Sequence, residues 1–528
     1  MNRERSLKEA MAETRPWDVV VVGGGATGLG AAVDAASRGY RTLLVERNDF
    51  AKATSSRSTK LAHGGVRYLQ QGNLALVLEA LKERGRMLRN APHLVRRQSF
   101  VIPAYALWEV PFYGVGLKMY DALAGKASFG RSRMLGGGEV REALPTVVSE
   151  RLAGGVEYFD GQFDDARYCL ALAQTLESLG GVALNYATMT RLLKTNGRVS
   201  GVVVRDEESG AGNSDGFEVQ ARVVINATGV FTDEVRRLDE ADSAPMLTVS
   251  QGSHFVLPKE FLPGTKALMV PKTADGRVLF AIPWHGAVVV GTTDDGVPKA
   301  EMEPRAMAKE TEFLSEHIGI YFGRRPKESE VLSVWSGLRP LVRKQGTKNT
   351  AALSREHTVL VSASGMVSVT GGKWTTYRRM GEDAVEIAAK SAGLAASPSR
   401  TQELRLFGWS EAAAQAQDSE HELAVYGSEQ AAIDELARSE VGLGETIHPA
   451  LPYRYAEVVW AVRQEMSRTV EDVLARRTRA LFLNARAAME SAAGVAACMA
   501  KELGRDERWA QAQVEAFRAL AAGYVYRG

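Results

Sequence analysis

The chain of 528 residues contains only two cysteines, and it has no run of about 18 uninterrupted apolar residues. Each scarcity excludes something. Cys169 and Cys498 stand far apart and match no CxxC or zinc spacing, which argues against a disulfide framework and a structural metal site and fits a cytosolic redox setting. Without a long apolar run there is no membrane-spanning helix to expect, so any membrane contact should be peripheral. Neither sign of charge is in excess: 65 Lys and Arg stand against 63 Asp and Glu, too balanced for a nucleic-acid binder. Residues 1–16 are highly charged and lack the apolar core of a secretory signal, so export by that route is not expected.

What is present is the composition of a large globular protein, 45% hydrophobic, and a length that at roughly 150 residues per domain suggests two to four units. A multidomain enzyme is the expectation. WDVVVV at 17–22 is a short, β-branched apolar run suited to a strand buried on both faces. It runs into a glycine turn and an Ala-rich helical stretch at 29–38, then Gly39 as a helix stop and a second strand at 42–45. That is one βαβ unit. Strand-like segments recur at 222–226 and 358–361. Between them, 246–295 carries runs such as HFVLP, VLFAIP and AVVVGTT with Asp275-Gly276 and His285-Gly286 at hairpin positions, which predicts an antiparallel sheet lying over the nucleotide unit. Small and turn residues at 394–401 mark a boundary, beyond which the pattern is helical. The expected domains are therefore 17–90, 150–240 and 355–392 for a nucleotide-binding unit, 91–149 and 241–354 for a substrate-binding unit, and 400–528 for a helical C-terminal unit.

Gly23-x-Gly25-x-x-Gly28 sits directly after the buried strand and opens the helix, the context that gives this otherwise weak motif force. The first glycine permits the tight turn, the second lets the backbone approach a pyrophosphate, and the third lets helix and strand pack closely. Ala26 and Thr27 belong to the same loop and helix start, whose N–H groups and partial positive charge suit phosphate. Glu46, with Arg47 beside it, ends the second strand, where a carboxylate accepts ribose hydroxyls and repels a 2′-phosphate. FAD or NAD is expected, not NADP. Two later returns of the chain favour FAD: VVINATG at 223–229, with Ala227, Thr228 and Gly229, and VTGGK at 369–373, with Gly371, Gly372 and Lys373. An elongated flavin dinucleotide needs such returns, whereas a single nicotinamide domain does not.

The segment TSSRSTKLAHGGVRYL at 54–69 resembles the stretch after the second strand in FAD-dependent, quinone-linked glycerol-3-phosphate dehydrogenases. SGLRPL at 336–341, GGKWTTYR at 371–378 and EDVLARRTR at 471–479 are similar to that family as well, so the resemblance runs from about residue 17 to about 500. It implies a doubly wound FAD-binding domain of the glutathione-reductase and D-amino-acid-oxidase type, an antiparallel β substrate domain and an all-α C-terminal domain. It also implies oxidation of sn-glycerol 3-phosphate to dihydroxyacetone phosphate by hydride transfer from C2 to flavin N5, with electrons passed to quinone. The family works as a homodimer peripheral to the membrane, which for this chain implies the inner face of the cytoplasmic membrane. By the same resemblance Thr54, Ser55, Ser56, Ser58, Lys60, Leu61, His63, Gly64, Gly65, Trp374 and Thr375 join the cofactor-binding set, and Arg67, Tyr68, His254, Arg339 and Lys373 lie near substrate.

The residue chemistry agrees with this. A phosphate dianion calls for guanidinium, supplied by Arg67 and Arg339. Removal of the C2 hydroxyl proton calls for a base, His254 or His63, with Lys373 and Arg339 beside the developing alkoxide. Bland readings stand beside these: His254 as a hydrogen-bonded core histidine, Tyr68 as core, Lys373 as a surface lysine, and the hydroxyls of 54–59 as helix caps. For the aromatic stretch WEVPFYGVG at 108–116 with 117–123, core or dimer packing is favoured over a lipid or quinone contact. Arg476, Arg477 and Arg479 read as a solvated face or ion-pair partners, with anionic headgroups as the other option. Three rival functions remain: an oxidase that uses O2 and releases peroxide, a flavin amine or amino-acid oxidase, and a flavoprotein with a structural nucleotide.

Overall fold

Strand Trp17–Val22 forms because β-branched residues fill a pleated surface covered on both sides, and Val19, Val20 and Val21 are fully buried. It pairs in parallel with Thr42–Val45 on one side and with Phe217–Asn226 on the other. The computed structural model describes every residue except 66–72, 209–215, 274–275, 344–355 and 417–423. Arg67, Tyr68 and the Asp275 of the expected hairpin lie outside the described residues.

The parallel sheet runs in the order Val182–Leu184, Thr42–Val45, Trp17–Val22, Phe217–Asn226, Val367–Gly371, with His357–Val361 added antiparallel at the edge. Strand order therefore reverses between Trp17–Val22 and Phe217–Asn226, and the crevice at their carboxyl ends is the switch point where doubly wound sheets hold ligands. Helix Ala26–Ser37 covers the sheet and is itself covered by helices Asp165–Ser178 and Tyr377–Ser391.

Among the described residues the second sheet has ten strands and is antiparallel apart from one pair, Ala267–Val270 with Val95–Ala104. Its centre is Leu247–Pro258, paired with both Ala287–Gly291 and Ser333–Val342. The His285-Gly286 turn joins Leu279–Trp284 to Ala287–Gly291, with both residues left-handed (φ +46° and +75°), as a two-residue hairpin of this twist requires. Gly154–Phe163, expected in the nucleotide unit, belongs to this sheet, where it pairs along its whole length with Val95–Ala104. Leu61–Ala62 joins its edge. The chain thus crosses between layers near Asp164 and not near residue 150, because ten paired residues outweigh proximity to the helix that follows.

After residue 391 the described residues form helices and one isolated β-bridge. This part plugs into the nucleotide layer through its arginines. Arg476, Arg477 and Arg479 are buried, so neither the headgroup nor the solvated-face reading holds, and the ion-pair reading does. Asp49 accepts from Arg476 Nε (2.5 Å) and from Arg477 Nη1 and Nη2 (2.5 and 2.9 Å). Arg479 Nη2 reaches Asp165 Oδ1 at 3.0 Å and the Ser56 carbonyl at 3.1 Å. The run is set in a wide, π-helical turn, Asp472–Arg477, followed by a left-handed Arg479 (φ +64°), which lets neighbouring guanidiniums point at different acids.

Burial works to raise the Asp49 carboxyl, and the Arg477 and Arg476 guanidiniums overcome it and hold it far below the ordinary carboxylate range. A folded-state pKa depressed in this way stabilises the fold fully above the unfolded value of about 4. That stabilisation is lost as pH falls towards the folded value. Asp49→Asn takes the shared carboxylate from two buried guanidiniums, leaving Arg476 on Glu471 and Asp472 and Arg477 on the Glu465 carbonyl, so we expect a loss of about 3 kcal/mol in urea denaturation at pH 7. The variant should also show a shallower loss of stability on acidification than the wild type.

Candidate active site

Four stretches expected from the sequence converge, together with others, on one cavity of about 380 Å3. The glycine turn contributes Gly23, Gly25, Ala26 and Thr27, the end of the second strand Glu46 and Arg47, and the following loop Thr54 and Ser55. Ala227, Thr228 and Gly229 come from the strand across the switch point, and Gly371, Gly372, Lys373 and Trp374 from the last parallel strand and its turn. Gly23 has φ +115°, and a Cβ there would lie 2.7 Å from the Ala227 carbonyl oxygen. A Cβ on Gly28 would lie 1.9 Å from the Gly23 carbonyl oxygen, so Gly28 shapes the turn from behind and does not line the cavity.

The donors and acceptors on the wall suit a dinucleotide. Glu46 accepts from the Gly24 N–H at 2.6 Å and from the Asn48 N–H at 2.8 Å. Burial raises its pKa against the pull of those bonds. At the end of the second strand this carboxylate stands where a ribose is held in such folds. The first turn of helix Ala26–Ser37 presents the Ala26 N–H to Ser55 Oγ at 2.9 Å, a helix-start donor of the kind that takes a phosphate oxygen. The Arg47 guanidinium lies over the Phe231 ring at 4.8 Å, and the Trp374 indole N–H donates to the Ser55 carbonyl at 3.0 Å, tying the fourth stretch to the second.

Other residues of the expected set turn elsewhere. Ser56 Oγ points back at the Ala53 carbonyl, and Ser58 gives its backbone N–H and its hydroxyl to Asp165 Oδ2 (3.0 and 2.7 Å). Lys60 is buried away from the cavity on Asp165, and Leu61 packs with Phe100 and Leu117. His63 and Thr375 bond to each other, the His63 N–H donating to Thr375 Oγ1 at 3.2 Å. The Gly64 N–H meets the Tyr120 hydroxyl at 3.0 Å, and Gly65 continues the turn at φ +79°. None of these lines the cavity.

A second group of residues adjoins that wall. Thr54 Oγ1 donates to the Leu338 carbonyl at 2.8 Å, joining the cofactor loop to strand Ser333–Val342, whose Pro340 lines the cavity. Arg339 lies between them, with Nη2 donating to Thr292 Oγ1 (3.0 Å) and to the Thr293 carbonyl (3.1 Å). The paired strand carries His254, buried, with Nε2 3.0 Å from Thr59 Oγ1 and its ring stacked on Trp335 at 4.0 Å. Burial first, then the positive charges of Arg339 and Lys60, push its pKa well below the ordinary imidazole value. The result is a neutral imidazole beside a guanidinium: one group that can take a proton and another that can hold an anion.

Sequence reasoning missed several participants. Lys52 and Ala187 to Met189 line the cavity. The last three follow the third parallel strand beside Glu46, so the carboxyl-end rule for doubly wound sheets could have found them. Thr59, the contact of His254, was passed over within a run of hydroxyls in which only local geometry separates one from the next.

The family model described as FAD dependent oxidoreductase matches residues 18–378, and that of the C-terminal domain of alpha-glycerophosphate oxidase matches 368–510. The mitochondrial glycerol-3-phosphate dehydrogenase of Homo sapiens is 38% identical over 554 residues, covering 98% of this chain and 75% of its own. That of Rattus norvegicus is 39% identical over 551 residues with the same coverage. The glycerol-3-phosphate dehydrogenase from Bacillus halodurans complexed with FAD superposes with a TM-score of 0.80 at 28% identity, over 99% of this chain and 98% of that one. The L-alpha-glycerophosphate oxidase from Mycoplasma pneumoniae with FAD bound shares the fold, at a TM-score of 0.55 and 16% identity over 73% and 97% of the two chains.

The glycine turn yields a direct expectation. Gly28→Ala drives a methyl into the Gly23 carbonyl and should give a protein with unchanged far-ultraviolet circular dichroism but no visible flavin absorbance after gel filtration. Full flavin content in that variant contradicts the role given to the turn.

Proposed function

The chain belongs to the FAD-dependent glycerol-3-phosphate dehydrogenases, and from that premise we propose that it oxidises sn-glycerol 3-phosphate to dihydroxyacetone phosphate and delivers the electrons to a quinone at a membrane surface. FAD is its cofactor; the glycine turn, Glu46, Ala227 to Gly229 and Gly371 to Lys373 would hold it, and it would supply the acceptor for the hydride leaving substrate C2. The observation that carries the reading is the pairing of a neutral, buried His254 with Arg339 beside the cavity that Lys373 and Pro340 line. His254 takes the C2 hydroxyl proton, and Arg339 with Lys373 supplies positive charge for the phosphate and the developing alkoxide. His254 is preferred to His63 as the base because burial and two cations keep it uncharged while Thr59 and Trp335 fix its ring.

Support for the membrane comes from helix Glu109–Ala124. Its buried face carries Leu117 and Tyr120. The opposite face exposes Phe112, Val115 and Met119, with Trp108 just before it; Trp108 is 64% and Val115 67% exposed. Core packing is therefore not their environment. The stripe at 108, 112, 115 and 119 follows helical spacing and is flanked by exposed Lys118 and Arg131, the arrangement of a helix that lies in an anionic lipid interface. No helix among the described residues is long and apolar enough to cross a membrane. The hydroxyl of Tyr120 holds the Gly64 N–H, so the helix rests directly on the loop that follows the cofactor segment.

Two experiments test this reading. Arg339→Ala should raise KM for glycerol 3-phosphate on the order of 10- to 100-fold and leave KM for glycerol nearly unchanged, since only the former offers a charged partner. Equal effects on both substrates count against a phosphate contact. Phe112→Glu combined with Val115→Glu should abolish sedimentation with anionic vesicles and turnover of vesicle-borne quinone while sparing turnover with a water-soluble dye. Stoichiometric peroxide formation with O2 in preference to quinone would point to the oxidase reading instead.

A further inference from the structure

Lys60 is the most deeply enclosed cation near the site, with no solvent exposure, and its partner Asp165 has none either. Its three ammonium donors are all used: Ser56 carbonyl at 2.7 Å, Asp165 Oδ1 at 2.9 Å and Asp165 Oδ2 at 2.8 Å. It lies over the rings of Trp335, Trp284 and Phe482, at 4.9, 5.2 and 5.3 Å from their centroids. Its backbone is left-handed (φ +63°), a conformation an L-residue adopts at a cost that these contacts must offset. This much construction around one lysine that does not reach the cofactor cavity calls for a purpose.

The purpose is legible in what it touches. Residue 59, immediately before it, provides the hydroxyl on His254 Nε2, and Trp335, against which the ammonium rests, is the ring stacked on that imidazole. Asp165 also takes the N–H and hydroxyl of Ser58 and the Arg479 guanidinium, so the whole 56–60 turn is pinned from below. With Nε2 engaged by Thr59, Nδ1 is the ring atom left to exchange a proton, and it is buried without a hydrogen-bond partner among the described residues. We propose that Lys60, clamped on Asp165, is a positioning residue that sets both the orientation and the charge state of His254. The inference rests on His254 being the proton acceptor, as proposed above.

The direction of the charge effect follows from the groups that face the ring. Arg339 approaches from strand Ser333–Val342, with Asp294 at 3.4 Å from its Nη1, and Lys60 approaches from the cofactor loop, with Asp165 and Arg479 behind it. Burial lowers the His254 pKa, and Arg339 and then Lys60 lower it further. Burial, aided by Arg479 and opposed by Asp165, also brings Lys60 itself down to about 7, so its charge is sensitive to any loss of the Asp165 contact. Removing the Lys60 charge must raise the imidazole pKa, since it deletes a repelling cation and leaves Asp165 less compensated.

The test compares Lys60→Met, Lys60→Arg and Thr59→Val in the FAD-loaded enzyme. Thr59→Val leaves the buried ion pair intact and covers the case in which Lys60→Met fails to fold. Two readouts are used: the pH dependence of kcat/KM for glycerol 3-phosphate, and NMR titration of the His254 imidazole, assigned by its absence in His254→Asn. Lys60→Met should move the acid limb and the His254 titration upward by about one pH unit or more, and Lys60→Arg should restore both. Thr59→Val should lower kcat about tenfold or more with KM changed less than twofold, as expected when a positioned hydrogen bond is lost. An unmoved His254 titration in Lys60→Met, or wild-type kcat in Thr59→Val, overturns the proposal alone. An acid limb that survives His254→Asn overturns the assignment of the base and this proposal with it.

Discussion

Three buried arginines near the C-terminus hold the part of the cavity wall that the N-terminal loop from Lys52 to Ser55 supplies. Arg476 and Arg477 close on Asp49, and Arg479 closes on Asp165 and the Ser56 carbonyl. Between these anchors runs the loop that carries Lys52, Thr54 and Ser55 along the cavity. The loop has little regular structure of its own beyond one short turn, Thr54–Ser56, so its shape is imposed from outside. Buried ion pairs of this kind contribute little net stability compared with apolar packing, because both charges must be desolvated. What they do impose is geometry, since breaking one leaves a charge with no solvent to receive it.

That constraint ties the three parts of the molecule into one site. The parallel sheet supplies the switch point and the glycine turn, the antiparallel sheet supplies His254 and Arg339, and the helical part locks the loop that joins them. The crossing between layers is where the lock engages: Asp164 caps helix Asp165–Ser178 by accepting the Arg167 N–H, and Asp165 opens it. A carboxylate at a helix start is favourable in itself. Here the same position gathers Ser58, Lys60 and Arg479, so one acid coordinates the cofactor loop, the C-terminal part and, through Thr59, the imidazole.

Much of this was legible in the sequence, and the reasons for what was not are physical. The βαβ unit could be read because buried strands and glycine turns leave local signatures: WDVVVV followed by Gly23, Gly25 and Gly28 admits few other conformations. The Arg476, Arg477 and Arg479 run could not be placed, because charge density reads as surface until the partner acids, more than 300 residues away in Asp49 and Asp165, are brought beside it by folding. Ser58, Lys60 and Thr59 look interchangeable in a list of polar residues. A tight turn and one left-handed backbone decide that Ser58 and Lys60 face Asp165 while Thr59 faces His254. The helix with Trp108, Phe112 and Val115 reads as core because its apolar residues run around both faces, and only packing shows which face is exposed.

In the proposed reaction a phosphorylated polyol reaches a flavin past His254 and Arg339. Its most direct test is the visible spectrum of the purified yellow protein, titrated without oxygen. Glycerol 3-phosphate is predicted to bleach the flavin band stoichiometrically, with unphosphorylated glycerol leaving it nearly unchanged at the same concentration. A flavin band that survives saturating glycerol 3-phosphate, or one bleached equally well by an amino acid, contradicts it.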